Sequence, residues 1–165
     1  MSSQSAARRP TRFVRVSTDL PVSADRAFAL AHRLTLFEYV VSPFVRLAVR
    51  GEQRALAERE GFSLGSEYSA RLWFFIVIPA WTHHLKIVSD GDHELYTNEQ
   101  SGPARVWNHR LTFLPTGEAT CRYTDEVELE DGMLGAPLAL FTQAFFRYRQ
   151  WRWRRLLRNG VPFGE

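Results

Sequence analysis

Cysteine is nearly absent from this chain: among 165 residues there is one, Cys121. A disulfide framework and a cysteine-based zinc site are therefore excluded. Cys121 falls inside a strand-like stretch and reads as a small buried hydrophobe. Lysine is equally scarce. Lys86 is the only one in a Lys+Arg total of 21, set against 18 Asp+Glu for a net charge of +3. Such near balance argues against a nucleic-acid partner, and the arginine bias reads as GC-rich coding. Long apolar runs are missing too. The longest, Leu72 to Trp81, is half the length of a spanning helix and contains Pro79, so no membrane insertion is expected. No apolar run follows the polar, basic Met1–Arg12 stretch, which speaks against a secretory signal and for a soluble cytoplasmic protein. Gly-rich phosphate loop, His-Glu-x-x-His and Gly-x-Ser-x-Gly motifs are all lacking. Serine or cysteine nucleophilic catalysis is thus without support.

What is present is apolar and aromatic, at 45% and 13% of residues, enough to line a large interior in one domain. Residues 1–11 read as a flexible tail and 12–160 as a single domain. Arg12 to Leu20 alternates as a first strand. Ser23 then caps a helix with Asp25 near its positive pole and Ala24, Ala27, Phe28 and Ala31 as its buried stripe. Leu34 to Val41 forms a second short helix that must stop before Pro43. Phe44, Val45, Leu47 and Val49 suggest a strand, whereas Gly51 to Leu64 reads either as a short helix, Glu52 to Glu60, or as a loop. Further on, Tyr68, Ala70, Leu72, Phe74 and Ile76 share one strand face. Pro79-Ala80 is read as a turn, after which Trp81, His83, Leu85 and Ile87 continue that face. Ser89 to Asp92 is a turn by its chemistry, leading into Leu95, Tyr96 and Thr97.

The densest information lies in the last third. Trp107, His109, Leu111 and Phe113 alternate with polar residues, as do Cys121, Tyr123, Asp125, Val127 and Leu129 beyond a Pro115-Thr116-Gly117 turn. A hairpin about that turn sets 113 opposite 121, 111 opposite 123 and 109 opposite 125. His109 and Asp125 then stand side by side on an apolar face, where an unpaired polar group costs about 1–3 kcal/mol. A cavity would explain them. The chain closes on a helix whose apolar stripe is Leu134, Leu138, Phe141, Phe145 and Tyr148, starting between Gly132 and Pro137 with Asp131 as N-cap and ending at Gly160 and Pro162. Arginines 147, 149, 152, 154, 155 and 158 crowd its far end, where they complement the dipole and read as a solvated terminus.

The order is strand, two short helices, about six antiparallel strands and a long helix, an α+β arrangement. It resembles the START-like (helix-grip) superfamily, which includes polyketide cyclase/dehydratases, lipid-transfer domains and plant pathogenesis-related proteins, and it looks like a bacterial branch of it. The resemblance runs from Phe13 to Leu157. It is carried by Val16 through Pro21 to Phe28, by Gly65-x-x-Tyr68, by Gly102-Pro103-x-x-x-Trp107-x-His109-x-Leu111-x-Phe113, and by Thr120-x-x-x-x-Asp125-x-Val127. It implies a curved antiparallel sheet of six to seven strands wrapped around the C-terminal helix, with the Tyr96 strand between those of His83 and His109. It also implies a cavity for an apolar or aromatic, lipid-like or polyketide-like ligand. Such a ligand would meet Leu72, Phe74, Trp81, His83, Tyr96, Trp107, His109, Leu111, Tyr123, Asp125, Phe141, Phe145 and Tyr148.

Two function classes follow. One is a binding module that carries or senses its ligand unchanged. The other is an enzyme of the cyclase/dehydratase kind, with His109 as acid or base, Asp125 orienting it, and Tyr123 or Tyr96 donating to a substrate oxygen. The His109–Asp125 pair is equally a structural cross-strand bond, and a single polar pair favours binding over catalysis. A third alternative is a ligand-free interaction protein with a filled core. No cofactor is expected. A metal is disfavoured, because the His83 and His109 strands are two sheet spacings apart, about 9–10 Å. A homodimer is left open. Segment 51–65, with Phe62 as an apolar latch, and helix 34–41 are expected to frame the entrance.

Overall fold

A strand, two short helices and a run of antiparallel strands closed by one long helix build the domain. The computed structural model describes residues 11–49, 51–75, 77–101, 104–130 and 135–160. The expected tail up to residue 10, and the roles expected for Ile76, Gly102-Pro103, Asp131, Gly132, Leu134 and Pro162, lie outside the described residues. Elements run β1 (Thr11–Leu20), α1 (Ala24–Ala31), α2 (Leu34–Val41), β2 (Val45–Ala48), α3 (Gly51–Glu60), β3 (Glu67–Phe74), β4 (Ile78–Gly91), β5 (Glu94–Ser101), β6 (Ala104–Gly117), β7 (Thr120–Glu130) and α4 (Gly135–Arg158). The sheet has seven strands in the order β1-β7-β6-β5-β4-β3-β2, every neighbouring pair antiparallel. It curls around α4, so this is the helix-grip α+β fold, with β5 between β4 and β6. No helix among the described residues is long and apolar enough to cross a membrane.

Local chemistry accounts for the helix boundaries. The Ser23 hydroxyl accepts from the Arg26 N–H at 3.3 Å and starts α1. Extended Ser42, held there by Pro43, stops α2. The 51–64 segment resolves as helix α3, which ends at Gly61. Its φ of +71° suits glycine alone, and a Cβ there would meet the His32 carbonyl at 2.8 Å.

Two expected turns are displaced, both by a proline. Pro79 lies within β4, paired with Trp73, and Phe75 and Val77 are the described turn residues between β3 and β4. Pro115 lies within β6, paired with Cys121, and the β6–β7 turn is Glu118-Ala119. Each proline sits where its strand overhangs β5: the β4 ladder reaches β5 only from His83, and the β6 ladder leaves it after Thr112. A missing N–H costs nothing on an unpaired side. The later turn and a bulge between Pro115 and Gly117 move the hairpin register by two residues. Phe113 faces Tyr123, Leu111 faces Asp125 and His109 faces Val127. An even shift keeps every side chain on its expected face.

The interior has a dense end and a hollow end. At the dense end Phe113 stacks on Tyr123 at 4.9 Å between centroids, and Trp153 of α4 closes on Tyr123 at 4.6 Å. Cys121 is fully buried beside them, its thiol pushed up to about 11 by burial and by the charge of Asp19. Phe113 is 0% exposed and contacts Phe28, Tyr123 and Trp153. Phe113→Ala is expected to lower unfolding free energy by about 3–5 kcal/mol in urea titrations.

Candidate functional site

The hollow end is a cavity of about 500 Å³ between the sheet and the N-terminal half of α4. Its sheet wall is built from alternate residues of adjacent strands: Leu47 of β2, Leu72 and Phe74 of β3, Trp81, His83 and Leu85 of β4, Glu99 of β5, and Trp107 and His109 of β6. Helix α4 supplies Leu138, Phe141, Phe145, Phe146 and Arg149. The rim is apolar and open to solvent, with Phe75, Ile78 and Phe141 at 56%, 53% and 48% exposure. A second, smaller space of about 50 Å³ lies deeper, bounded by Leu36, Phe37, Thr97, Leu111, Trp153 and others, and shares Glu99, His109 and Arg149 with the main cavity.

A polar chain runs beneath this apolar lining. His109 Nε2 bonds Asp125 Oδ1 at 2.9 Å, a diagonal contact across the shifted register. Asp125 also accepts from the Tyr123 hydroxyl at the same oxygen and from Gln150 Nε2 at Oδ2, 2.9 Å away. The other face of the histidine looks to β5. His109 Nδ1 lies 3.8 Å from Glu99 Oε1, an ionic contact rather than a hydrogen bond. Glu99 Oε1 accepts from Thr97 at 2.6 Å, and Glu99 Oε2 meets His83 Nε2 at 3.0 Å. Asp125, His109, Glu99 and His83 thus form one chain across four strands. No cluster of His, Cys, Asp and Glu among the described residues is arranged to hold a metal ion.

Charge is stabilised along this chain despite burial. Burial alone would lower the His109 pKa, but Asp125 and Glu99 outweigh it and raise it above the ordinary 6.5. Burial would raise Asp125, yet the Arg149 charge and the His109 and Tyr123 bonds bring it below 3.8. Glu99 likewise lies well below 4.5, because His109 and His83 overcome its burial. Burial and the Asp125 charge hold the Tyr123 hydroxyl well above 10, so it acts as a donor.

Of the residues expected to meet a ligand, Leu72, Phe74, Trp81, His83, Trp107, His109, Phe141 and Phe145 line the main cavity. Leu111 reaches only the deeper space. Tyr123 and Asp125 are buried behind His109 and do not reach the cavity surface. Tyr96 is on the outer face with Arg110 over its ring at 4.8 Å, because alternation in β5 turns Leu95, Thr97 and Glu99 inward. Tyr148 packs on Phe44 outside the cavity and donates to the Ser42 carbonyl. The buried face of α4 is Thr142, Phe146, Arg149, Gln150, Trp153 and Leu156, one position round from the expected stripe. Arg149 is therefore interior rather than solvated. Phe62 packs against Phe37 and Tyr68 and lines the deeper space, whereas Phe37 and Val41 of α2 line the main cavity. The exposed apolar rim of the main cavity lies between the β3–β4 turn and α4.

Glu99 and Arg149 escaped sequence reasoning. The signal for Glu99 was its period-two spacing from Leu95 and Thr97. For Arg149 it was the spacing of three and four that joins it to Phe146 and Trp153.

The linked pKa values set a pH window. The folded-state values of Asp125 and Glu99 are depressed, so their contribution is present above the unfolded values of 3.8 and 4.5 and fades as pH falls. His109 is raised, so its contribution is complete below 6.5 and is lost as pH rises through the folded value. Urea midpoints are therefore expected to peak between pH 4.5 and 6.5. His109→Gln should remove the alkaline decline and leave a weakened acid limb, since His83 still holds Glu99 and Arg149 still holds Asp125. Asp125→Asn, which strands buried donors, is expected to cost about 3–5 kcal/mol by the same measurement.

Comparison with curated protein sequences finds no match. Among solved structures, a truncated norcoclaurine synthase from Thalictrum flavum superposes with a TM-score of 0.65 at 12% identity, covering 96% of this chain and 98% of that one. The same plant enzyme in complex with dopamine and hydroxybenzaldehyde gives 0.59 at 12% identity, covering 96% and 95%. A START superfamily protein from Mycobacterium smegmatis gives 0.67 at 9% identity, covering 89% and 97%. At these identities the likeness is one of fold. In sequence, Domain of unknown function (DUF8410) matches residues 18–159. The chain thus has the START-like helix-grip fold and belongs to the DUF8410 family.

Proposed function

We propose that this protein is a cytoplasmic carrier or sensor that binds an apolar or aromatic small molecule, of lipid-like or polyketide-like character, between its sheet and α4. The observation that carries this reading is the cavity itself. Its volume of about 500 Å³ falls in the range of small-molecule sites, and its wall is mainly aromatic and aliphatic with a few convergent polar groups. Leu72, Phe74, Trp81, Trp107, Phe141 and Phe145 would contact the ligand body, while His83 and His109 would meet its polar atoms. That a fold neighbour is solved with dopamine and hydroxybenzaldehyde agrees with this reading.

One observation favours a second reading, acid–base catalysis. Glu99 joins His83 and His109 at the cavity wall, so two imidazoles and a carboxylate face one space, with Asp125 orienting His109. Exchange of the methylene protons of an aryl β-diketone into deuterated water, followed by NMR, tests it. Wild type should exchange them faster than His109→Asn does, and equal rates for the two reject it.

For the binding reading, the neutral probe N-phenyl-1-naphthylamine should brighten on titration with the protein. Leu47→Trp, which puts an indole into the cavity, should remove at least about nine-tenths of that signal without lowering the Tm. An unresponsive probe with wild type would favour the interaction-protein alternative.

A further inference from the structure

Arg149 projects from the middle of α4 into the space shared by the main cavity and the deeper one. It is only 6% exposed. Its guanidinium lies over the Phe146 ring at 4.7 Å and near the Phe37 ring at 5.9 Å. Its Nε is buried without a hydrogen-bond partner, and among the described residues no hydrogen bond or ion pair reaches any of its nitrogens. A guanidinium offers five donors in a planar fork and is a permanent cation. Buried arginines are ordinarily paired.

The neighbouring carboxylates are already committed. Asp125 takes His109 and Tyr123 on one oxygen and Gln150 on the other. Glu99 takes Thr97 on one oxygen and His83 on the other. Asp125 feels the Arg149 charge through space, but neither carboxylate hydrogen-bonds to it, so the donors of Arg149 are left to whatever enters the cavity. One fork suits a planar oxyanion of single charge. The two nearby carboxylates disfavour a dianion such as a phosphate monoester, which would call for a second free cation.

We propose that Arg149 is the anchor for the carboxylate of an amphipathic ligand, whose apolar body lies along Leu72, Phe74, Trp81 and Phe145. This rests on the binding reading above and narrows it from apolar molecules in general to monocarboxylic acids. The ring faces of Phe146 and Phe37 hold the guanidinium, so it needs little ordering when the acid arrives.

The test is displacement of N-phenyl-1-naphthylamine from the full chain near neutral pH by dodecanoate and by dodecanol, which share an apolar tail and differ in the head. Wild type should release the probe at roughly tenfold or more lower concentration of dodecanoate than of dodecanol. Arg149→Gln should abolish that preference, acid and alcohol then releasing the probe at similar concentrations. Arg149→Lys, which keeps charge without the fork, should retain part of it. Equal displacement by acid and alcohol in wild type overturns the assignment even if no variant folds. So does a preference that survives in a folded Arg149→Gln. Failure of the neutral probe to bind wild type overturns the cavity reading and the anchor together, whereas a bound probe with no acid preference overturns the anchor alone.

Discussion

The carboxylate of Asp125 is the point on which the architecture turns. It is 1% exposed and accepts from His109 in β6, Tyr123 in β7 and Gln150 in α4. Gln150 Nε2 is shared with the Val16 carbonyl in β1, 2.8 Å away. One buried anion therefore ties the closing helix to three adjacent strands. A buried carboxylate that accepts three hydrogen bonds fixes geometry more than it adds stability. What it fixes here is the rotation of α4. With Gln150 held on the sheet, Trp153 and Leu156 turn into the dense core, and Phe146 and Arg149 turn toward the hollow end.

The same constraint sets the orientation of His109. Its Nε2 is held by Asp125, which leaves Nδ1 facing Glu99 and the cavity. The imidazole links a sealed polar interior to an apolar chamber, and the charge that it carries is shared with groups on four strands. A ligand's polar atoms would thus meet a network whose protonation is set several residues away from any contact.

Much of this was legible in the sequence, and the failures have physical causes. Period-two alternation placed Trp107, His109, Tyr123 and Asp125 on inward faces, because a face is robust to an even register shift. Register itself was not legible. Pro115 resembled a turn residue, but a strand that overhangs its neighbour tolerates proline, so the true turn came later. Aromatics usually fill interiors, which points Tyr96 inward, and carboxylates usually do not, which hides Glu99. The β5 register reverses both expectations. On α4 apolar spacing does not mark Thr142, Arg149 and Gln150, three polar residues on the buried face. Hydropathy marks what water rejects, and it is silent on polar groups that the interior has been built to receive.

The uneven packing of the two ends has a consequence for motion. Phe113 stacked on Tyr123, with Trp153 closing on both, leaves no slack where the C-terminal half of α4 meets β6 and β7. Around the cavity the four-residue β2, the β3–β4 turn and the first turns of α4 have neighbours on one side and empty space on the other. Local opening costs least where fewest contacts are lost. Amide protons of β2 should therefore exchange with solvent through partial opening, well before those of β7, which wait for global unfolding. One end of the domain can thus loosen while the other keeps its shape.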